Sequence, residues 1–195
     1  IDSEGLFTPG IVGQAIITAS SGNVNSSTSI NVVAGWPVGI QSGFNVTEIS
    51  IDDEIQLNAS LVDRAGNMVE GDLTWRCQNG VIDYDNKTWK PEEIGNATMR
   101  IIYLELEEQV VFHVVPGSPE TLVIPYGLTV QSGTTQHIIP IAKDSQGNEV
   151  GISKAGDLTW FVENGSISQT GLFFGGAPGL WNVSVNSSSG ASGVG

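Results

Sequence analysis

A chain of 195 residues that is 39% hydrophobic can bury ordinary small cores, while only 14% of it is charged, so its polar surface must be built from Ser, Thr, Asn and Gly. Twenty-one acidic against seven basic residues give a net charge of -14, which repels phosphate backbones and anionic membranes and excludes nucleic acid as a partner. No run approaches the ~18 apolar residues of a spanning helix, so no direct membrane insertion is expected of this segment, and the missing leader and Met suggest a piece processed or excised from something longer.

Residues 1–35 read as the back half of a repeat. Ala15, Ile17 and Ala19 alternate with Ile16 and Thr18, a polar turn spans Gly22 to Ser27, and Ser29-Ile30-Asn31-Val32-Val33 forms a second strand. Ala34-Gly35-Trp36-Pro37 then supplies the Pro/Gly punctuation of a linker.

Residues 36–117 form one complete unit. Ile55, Leu57, Ala59 and Leu61 alternate with polar residues as a half-buried strand, and Asp63-Arg64-Ala65-Gly66-Asn67 makes a tight reversal. Gly71-Asp72-Leu73-Thr74-Trp75 opens the next strand, with Trp75 and Cys77 facing inward. The Asn79-Gly80 turn, the strand Ala97-Met99-Ile101 and the strand Val110-Phe112-Val114 follow. Glu105 and Glu107 are expected to share one strand face. Val114-Val115-Pro116-Gly117 closes the unit as Val32 to Gly35 closed the one before.

Residues 118–195 repeat the order. Gly156-Asp157-Leu158-Thr159-Trp160 returns verbatim, Asp144-Ser145-Gln146-Gly147-Asn148 matches the earlier reversal, and Ile167 to Phe173 matches Ile1 to Phe7. A few extra residues fall around Gly151 to Ala155, and the unit is expected to lack its last strand. The period of roughly 80 to 85 residues makes the chain a window on a tandem array. No 3.6-residue apolar period is sustained, so the fold class is all-β: tandem immunoglobulin-like antiparallel β-sandwich domains with core Trp75 and Trp160 and essentially no helix.

The order Gly-Asp-Leu-Thr-Trp, Asn-Gly, Ile-Asp-Ser-x-Gly-Leu-Phe-Thr-Pro-Gly, Val-Gly-x-Ala-x-Ile-x-Ala and Val-Val-x-Gly resembles the bacterial-type immunoglobulin-like repeats, group 2 and invasin/intimin-like, of prokaryotic surface proteins, archaeal ones included. The resemblance covers nearly the whole chain and implies a spacer on a cell surface. It implies nothing about a ligand.

Eight Asn-x-Ser/Thr triplets occur, at Asn25, Asn45, Asn58, Asn86, Asn96, Asn164, Asn182 and Asn186, where chance gives about two. Asn58, Asn182 and Asn186 alternate with inward residues and so face solvent, and Asn25, Asn45 and Asn86 fall in or near turns. Asn164 is the weakest, because its repeat partner Asn79 is followed by Gly-Val and serves the turn alone. N-linked glycans on these residues imply manufacture outside the cytoplasm, and a Ser/Thr/Asn-rich β surface is the plainer explanation of the same triplets.

Other constellations carry less. Cys77 reads as a small buried residue with no base nearby, since His113 and His137 lie elsewhere in the pattern. Asp52-Asp53-Glu54, Asp83 with Asp85, Glu92-Glu93 and Glu105 with Glu107-Glu108 read as solvated faces. Calcium stiffening the linkers is the one metal to consider, although Asp63-x-x-Gly66-Asn67 lacks the ligand spacing of a calcium loop. Trp36 alone among the tryptophans is free to serve a sugar, and packing at a unit boundary explains it equally well. No nucleophile-base or metal-ligand arrangement exists, so an enzyme is not expected and no cofactor is implied. The expected role is an extracellular stalk, coat or filament partnered by neighbouring copies or repeats, completed by β-strand addition in its fibre form. An adhesin segment that binds a protein or glycan is the alternative.

Overall fold

The computed structural model describes residues 1–195. The chain divides into two compact units, Ile1–Ile49 with Glu54–His113, and Ser50–Asp53 with Val114–Gly195.

The first unit begins with an antiparallel ribbon of β1 (Gly13–Ser21) and β2 (Val24–Val32), registered from Gly13 opposite Val32 to Ser21 opposite Val24. Gly22 takes φ +59, which lets two residues close the hairpin, so Asn25 to Ser27 are strand and not the turn that the polar run suggested. The complete repeat follows as β3 (Gly39–Ser42), β4 (Glu48–Ser50), β5 (Ile55–Gln56), β6 (Ala59–Val62), β7 (Met68–Val69), β8 (Thr74–Cys77), β9 (Val81–Asp83), β10 (Thr88–Lys90), β11 (Gly95–Tyr103) and β12 (Leu106–Val115). These form sheets ordered β3-β6-β7, β5-β10-β9 and β4-β12-β11-β8. Alternation drives the burial: Ala97, Met99 and Ile101 of β11 and Phe112 of β12 are at most 1% exposed, while their sequence neighbours point out. Trp89 stands 5.0 Å from Phe112, and Phe44 packs edge-on against both Phe112 and Trp75. Leu104-Glu105 is the two-residue turn of the β11–β12 hairpin, with Leu104 at φ 51. Glu105 therefore does not share a strand face with Glu107, which instead forms a two-pronged ion pair with Arg100 at 2.7 Å.

The second unit repeats the plan with β13 (Thr121–Val123), β14 (Thr135–His137), β15 (Ile141–Lys143), β16 (Glu149–Val150), β17 (Leu158–Val162), β18 (Ser166–Ile167), β19 (Leu172–Phe174), β20 (Val183–Ser187) and β21 (Ser192–Val194). A six-stranded sheet, β16-β15-β13-β21-β20-β17, faces the sheet β14-β19-β18. Leu122, Ala142, Trp160 and Val185 from one sheet and Phe173 from the other share one core with Ile138. β21 pairs antiparallel with β20 and parallel with β13, so it occupies the place that β12 holds in the first unit, over three residues in place of ten. One 3-10 helix, Ile152–Ala155, interrupts an otherwise all-β chain where the extra residues were noted. Buried Ala155 and the bond from Lys154 N–H to the Gly151 carbonyl hold it.

Candidate functional site

Two equivalent carboxylates organise the loops. Asp63 ends β6, and its Oδ1 accepts the backbone N–H groups of Ala65 and Asn67 at 2.9 and 2.8 Å while Oδ2 accepts Gly35 N–H at 2.8 Å. Asn67 Nδ2 donates to both oxygens and also reaches the Gly10 carbonyl. Asp144 does the same at the end of β15. It accepts Gln146 and Asn148 N–H on Oδ1, and Gly117 N–H and Asn148 Nδ2 on Oδ2. Both are buried, at 8% and 2% exposure. The Asn67 side chain and then Gly35 hold the Asp63 carboxyl down at about 2. Burial raises the Asp144 carboxyl, but the bonds from Asn148 and Gly117 outweigh it and the net shift is downward. In the sequence Asp63 and Asp144 read as turn residues only. The missed signal is the spacing: each lies a near-constant 28 or 27 residues past a linker glycine.

The clamped glycines begin the segments Gly35-Trp36-Pro37 and Gly117-Ser118-Pro119. At the second of these, Asp52 Oδ2 also accepts Ser118 N–H at 2.9 Å. No three His, Cys, Asp or Glu side chains converge to hold a metal ion. The oxygens of Asp63 and Asp144, the best-placed linker carboxylates, already accept N–H donors. Calcium and chelator are therefore expected to leave the thermal midpoint unchanged, and a midpoint raised by calcium in a melting experiment would contradict this.

The eight sequon asparagines separate by geometry. Asn25, Asn45, Asn58, Asn96 and Asn186 are exposed, and within their units the Nδ2 of each donates no hydrogen bond. The Asn96 Oδ1 lies 3.3 Å from His113 Nδ1. Asn86 donates its backbone N–H and then its Nδ2 to Asp83, which lowers that carboxyl, and Asn182 donates its backbone N–H and its Nδ2 to Glu163 with the same effect. Asn164 is half-buried and accepts Ala177 N–H, much as Asn79 accepts the N–H groups of Glu92 and Glu93.

Among the tryptophans, Trp75, Trp89 and Trp160 are buried, Trp36 is 89% exposed, and Trp181 is 42% exposed with Nε1 donating to the Ala177 carbonyl. Cys77 is half-buried, and burial raises its thiol above the ordinary value. His137 Nε2 lies 2.6 Å from the Thr170 carbonyl.

One pocket in the first unit, of about 300 Å³, is lined by Leu57, Asn58, Asp72, Trp75, Tyr84 and Lys87. Tyr84 is fixed by its hydroxyl, which donates to the Trp75 carbonyl at 2.8 Å, yet its residue stays 62% exposed. Lys87 holds φ 55, a conformation that costs a side-chain-bearing residue about 1–2 kcal/mol. The backbone equivalent in the second unit is Gly171, at φ 81: Leu57 N–H donates to the Lys87 carbonyl as Ile138 N–H donates to that of Gly171.

The chain is an all-β protein of two compact units whose strands and loops follow one repeated plan. No family model matches it, and no curated protein matches it in sequence. Among solved structures it is similar to domains 1–6 of the surface layer protein SbsC, with 15% identity, a TM-score of 0.38, and coverage of 100% of this chain and 36% of that one. It is also similar to invasin, a bacterial integrin-binding protein (14% identity, TM-score 0.41, 94% of this chain and 44% of that one). A third likeness is to the EC1-3 segment of mouse clustered PcdhgC3 (9% identity, TM-score 0.38, 94% of this chain and 75% of that one). The chain thus spans little more than a third of the SbsC structure.

Proposed function

We propose that this chain is a segment of a non-enzymatic, N-glycosylated structural protein that forms a stalk, coat or filament on a cell surface. The observation that carries the reading is the set of exposed sequon amides, Asn25, Asn45, Asn58, Asn96 and Asn186, none with an Nδ2 bond in its unit. Glycans there cover strands and turns without disturbing a hydrogen bond within a unit. The Asp clamps fit a mechanical role, because their carboxylate oxygens are taken up in fixing the chain at the start of each repeat.

Glycopeptide mapping after expression in an N-glycosylating host tests this. High occupancy is expected at Asn25, Asn45 and Asn186, reduced occupancy at Asn86 and Asn182, whose Nδ2 groups are engaged, and the lowest at Asn164, which is half-buried. A map with no modified asparagine contradicts the reading.

The fibre form of the reading draws on the second unit. A groove of about 510 Å³ runs between Ile124 and Tyr126 on one side and Trp181 and Val183 on the other, beside Gly195. In the preceding repeat the corresponding stretch of β12 carries Phe112 and Val114, both at most 1% exposed. A strand of this kind, whether the chain's own continuation or one from a neighbouring copy, has the apolar face that the groove fits.

A further inference from the structure

We infer that the pocket beside Asn58 seats the first sugar of a glycan carried by Asn58, with the Tyr84 ring as its platform. The inference rests on the glycoprotein reading and adds to it a defined sugar-protein contact. Its basis is a comparison that the chain makes with itself. The two complete sets of loops follow one plan, since Asp63 and Asp144, Trp75 and Trp160, and Leu57 and Ile138 hold equivalent places. At three positions around this pocket they differ together. Asn58, a sequon residue, stands where the second unit has Ile139; Tyr84 stands where it has Gln169; Lys87 stands where it has Gly171.

Each change alone is unremarked surface variation. Together they give the first unit an attachment point, an exposed aromatic face and a cation around one concavity, and they leave the second unit with none of the three. Lys87 is the most informative, because the backbone there takes a left-handed conformation that glycine adopts freely and does adopt in the other copy. A strained residue whose side chain lines a pocket points to a role for that side chain. A pyranose presents an apolar face of C–H bonds to an aromatic ring and hydroxyls at its rim. Tyr84 supplies the ring, while the Lys87 ammonium and the Asp72 carboxylate supply a donor and an acceptor at the edge. The Tyr84 hydroxyl is already committed to the Trp75 carbonyl, so the ring is held in place before any sugar arrives.

A thermal double-mutant cycle tests this. The full chain, Asn58→Gln, Tyr84→Ala and the double variant are melted after production in an N-glycosylating host and again in a host that adds no glycans, with occupancy at Asn58 read by glycopeptide mass. With glycan present, each single change is expected to lower the midpoint by a few degrees and the double change to add little further. Without glycan the two changes are expected to act independently. Tyr84→Phe keeps the ring and should preserve the coupling. An occupied Asn58 whose loss is additive with Tyr84→Ala in both hosts overturns the inference and leaves the glycoprotein reading standing. A bare Asn58 beside an occupied Asn25 also overturns the inference alone. Bare asparagines throughout overturn both.

Discussion

Trp160→Ala is expected to lower the stability of the second unit by about 3–5 kcal/mol, a large part of the 5–15 kcal/mol that a domain of this kind possesses. The residue is 9% exposed at the middle of β17, with Val185 directly across on β20 and Ile138 and Phe173 from the opposite side of the core. Removing the indole empties the space on which that core converges. A milder change separates packing from hydrogen bonding. Trp160 Nε1 is buried without a partner, whereas Trp89 Nε1 donates to the Asn79 carbonyl at 2.7 Å. Trp160→Phe therefore loses volume and also removes an unsatisfied donor. Trp89→Phe loses volume and orphans the Asn79 carbonyl, a cost on the order of 1–3 kcal/mol more. Denaturant midpoints read both, and a Trp89→Phe variant that is no worse than Trp160→Phe would refute the difference.

The second large effect lies in the clamps. Asp144→Ala removes the acceptor of Gln146, Asn148 and Gly117 N–H groups at once, and Asp63→Ala does the same to Ala65, Asn67 and Gly35. Each variant is expected to melt at a clearly lower temperature and to be cut by protease at the freed segment, Gly117–Pro119 or Gly35–Pro37. Asparagine is a poor substitute, because its amide would meet an N–H donor with another donor. The same contacts set an acid limit. Both carboxyls are lower when folded than when unfolded, so their stabilising effect is complete above the unfolded value and is lost as pH falls through the folded one. For Asp63 that window runs from 3.8 down to about 2. Melting temperature is expected to be flat with respect to these two groups above pH 4 and to fall below it, and Asp63→Ala should flatten part of that fall. A variant with the unchanged acid slope would show that the clamp contributes nothing.

Much of the architecture was legible because strands with one buried face write their burial into the sequence at period two, as at Ala97-Met99-Ile101, and because the repeat allowed each assignment to be checked against its copy. What escaped depended on longer connections. Asp63 and Asn67 look like an isolated reversal until Gly35, distant in sequence, is seen to complete it. Glu105 and Glu107 look like one strand face because alternation says nothing about where a hairpin turns, and Leu104 turns it. Asn25 looks like a loop residue because its neighbours are polar, although Gly22 had already closed the hairpin. The sequons were readable as a pattern, but the distinction between a free Asn186 and a tethered Asn182 depends on the carboxylate of Glu163, which no triplet records. The pocket at Tyr84 and Lys87 was hidden for a similar reason, since it joins loops that sequence order keeps apart.

Whether the exposed asparagines carry sugar is read most directly by intact mass. After expression in an N-glycosylating host, the chain is expected to exceed its polypeptide mass of 20.5 kDa by several glycans and to return to it on enzymatic deglycosylation. A mass of 20.5 kDa before any treatment would contradict it.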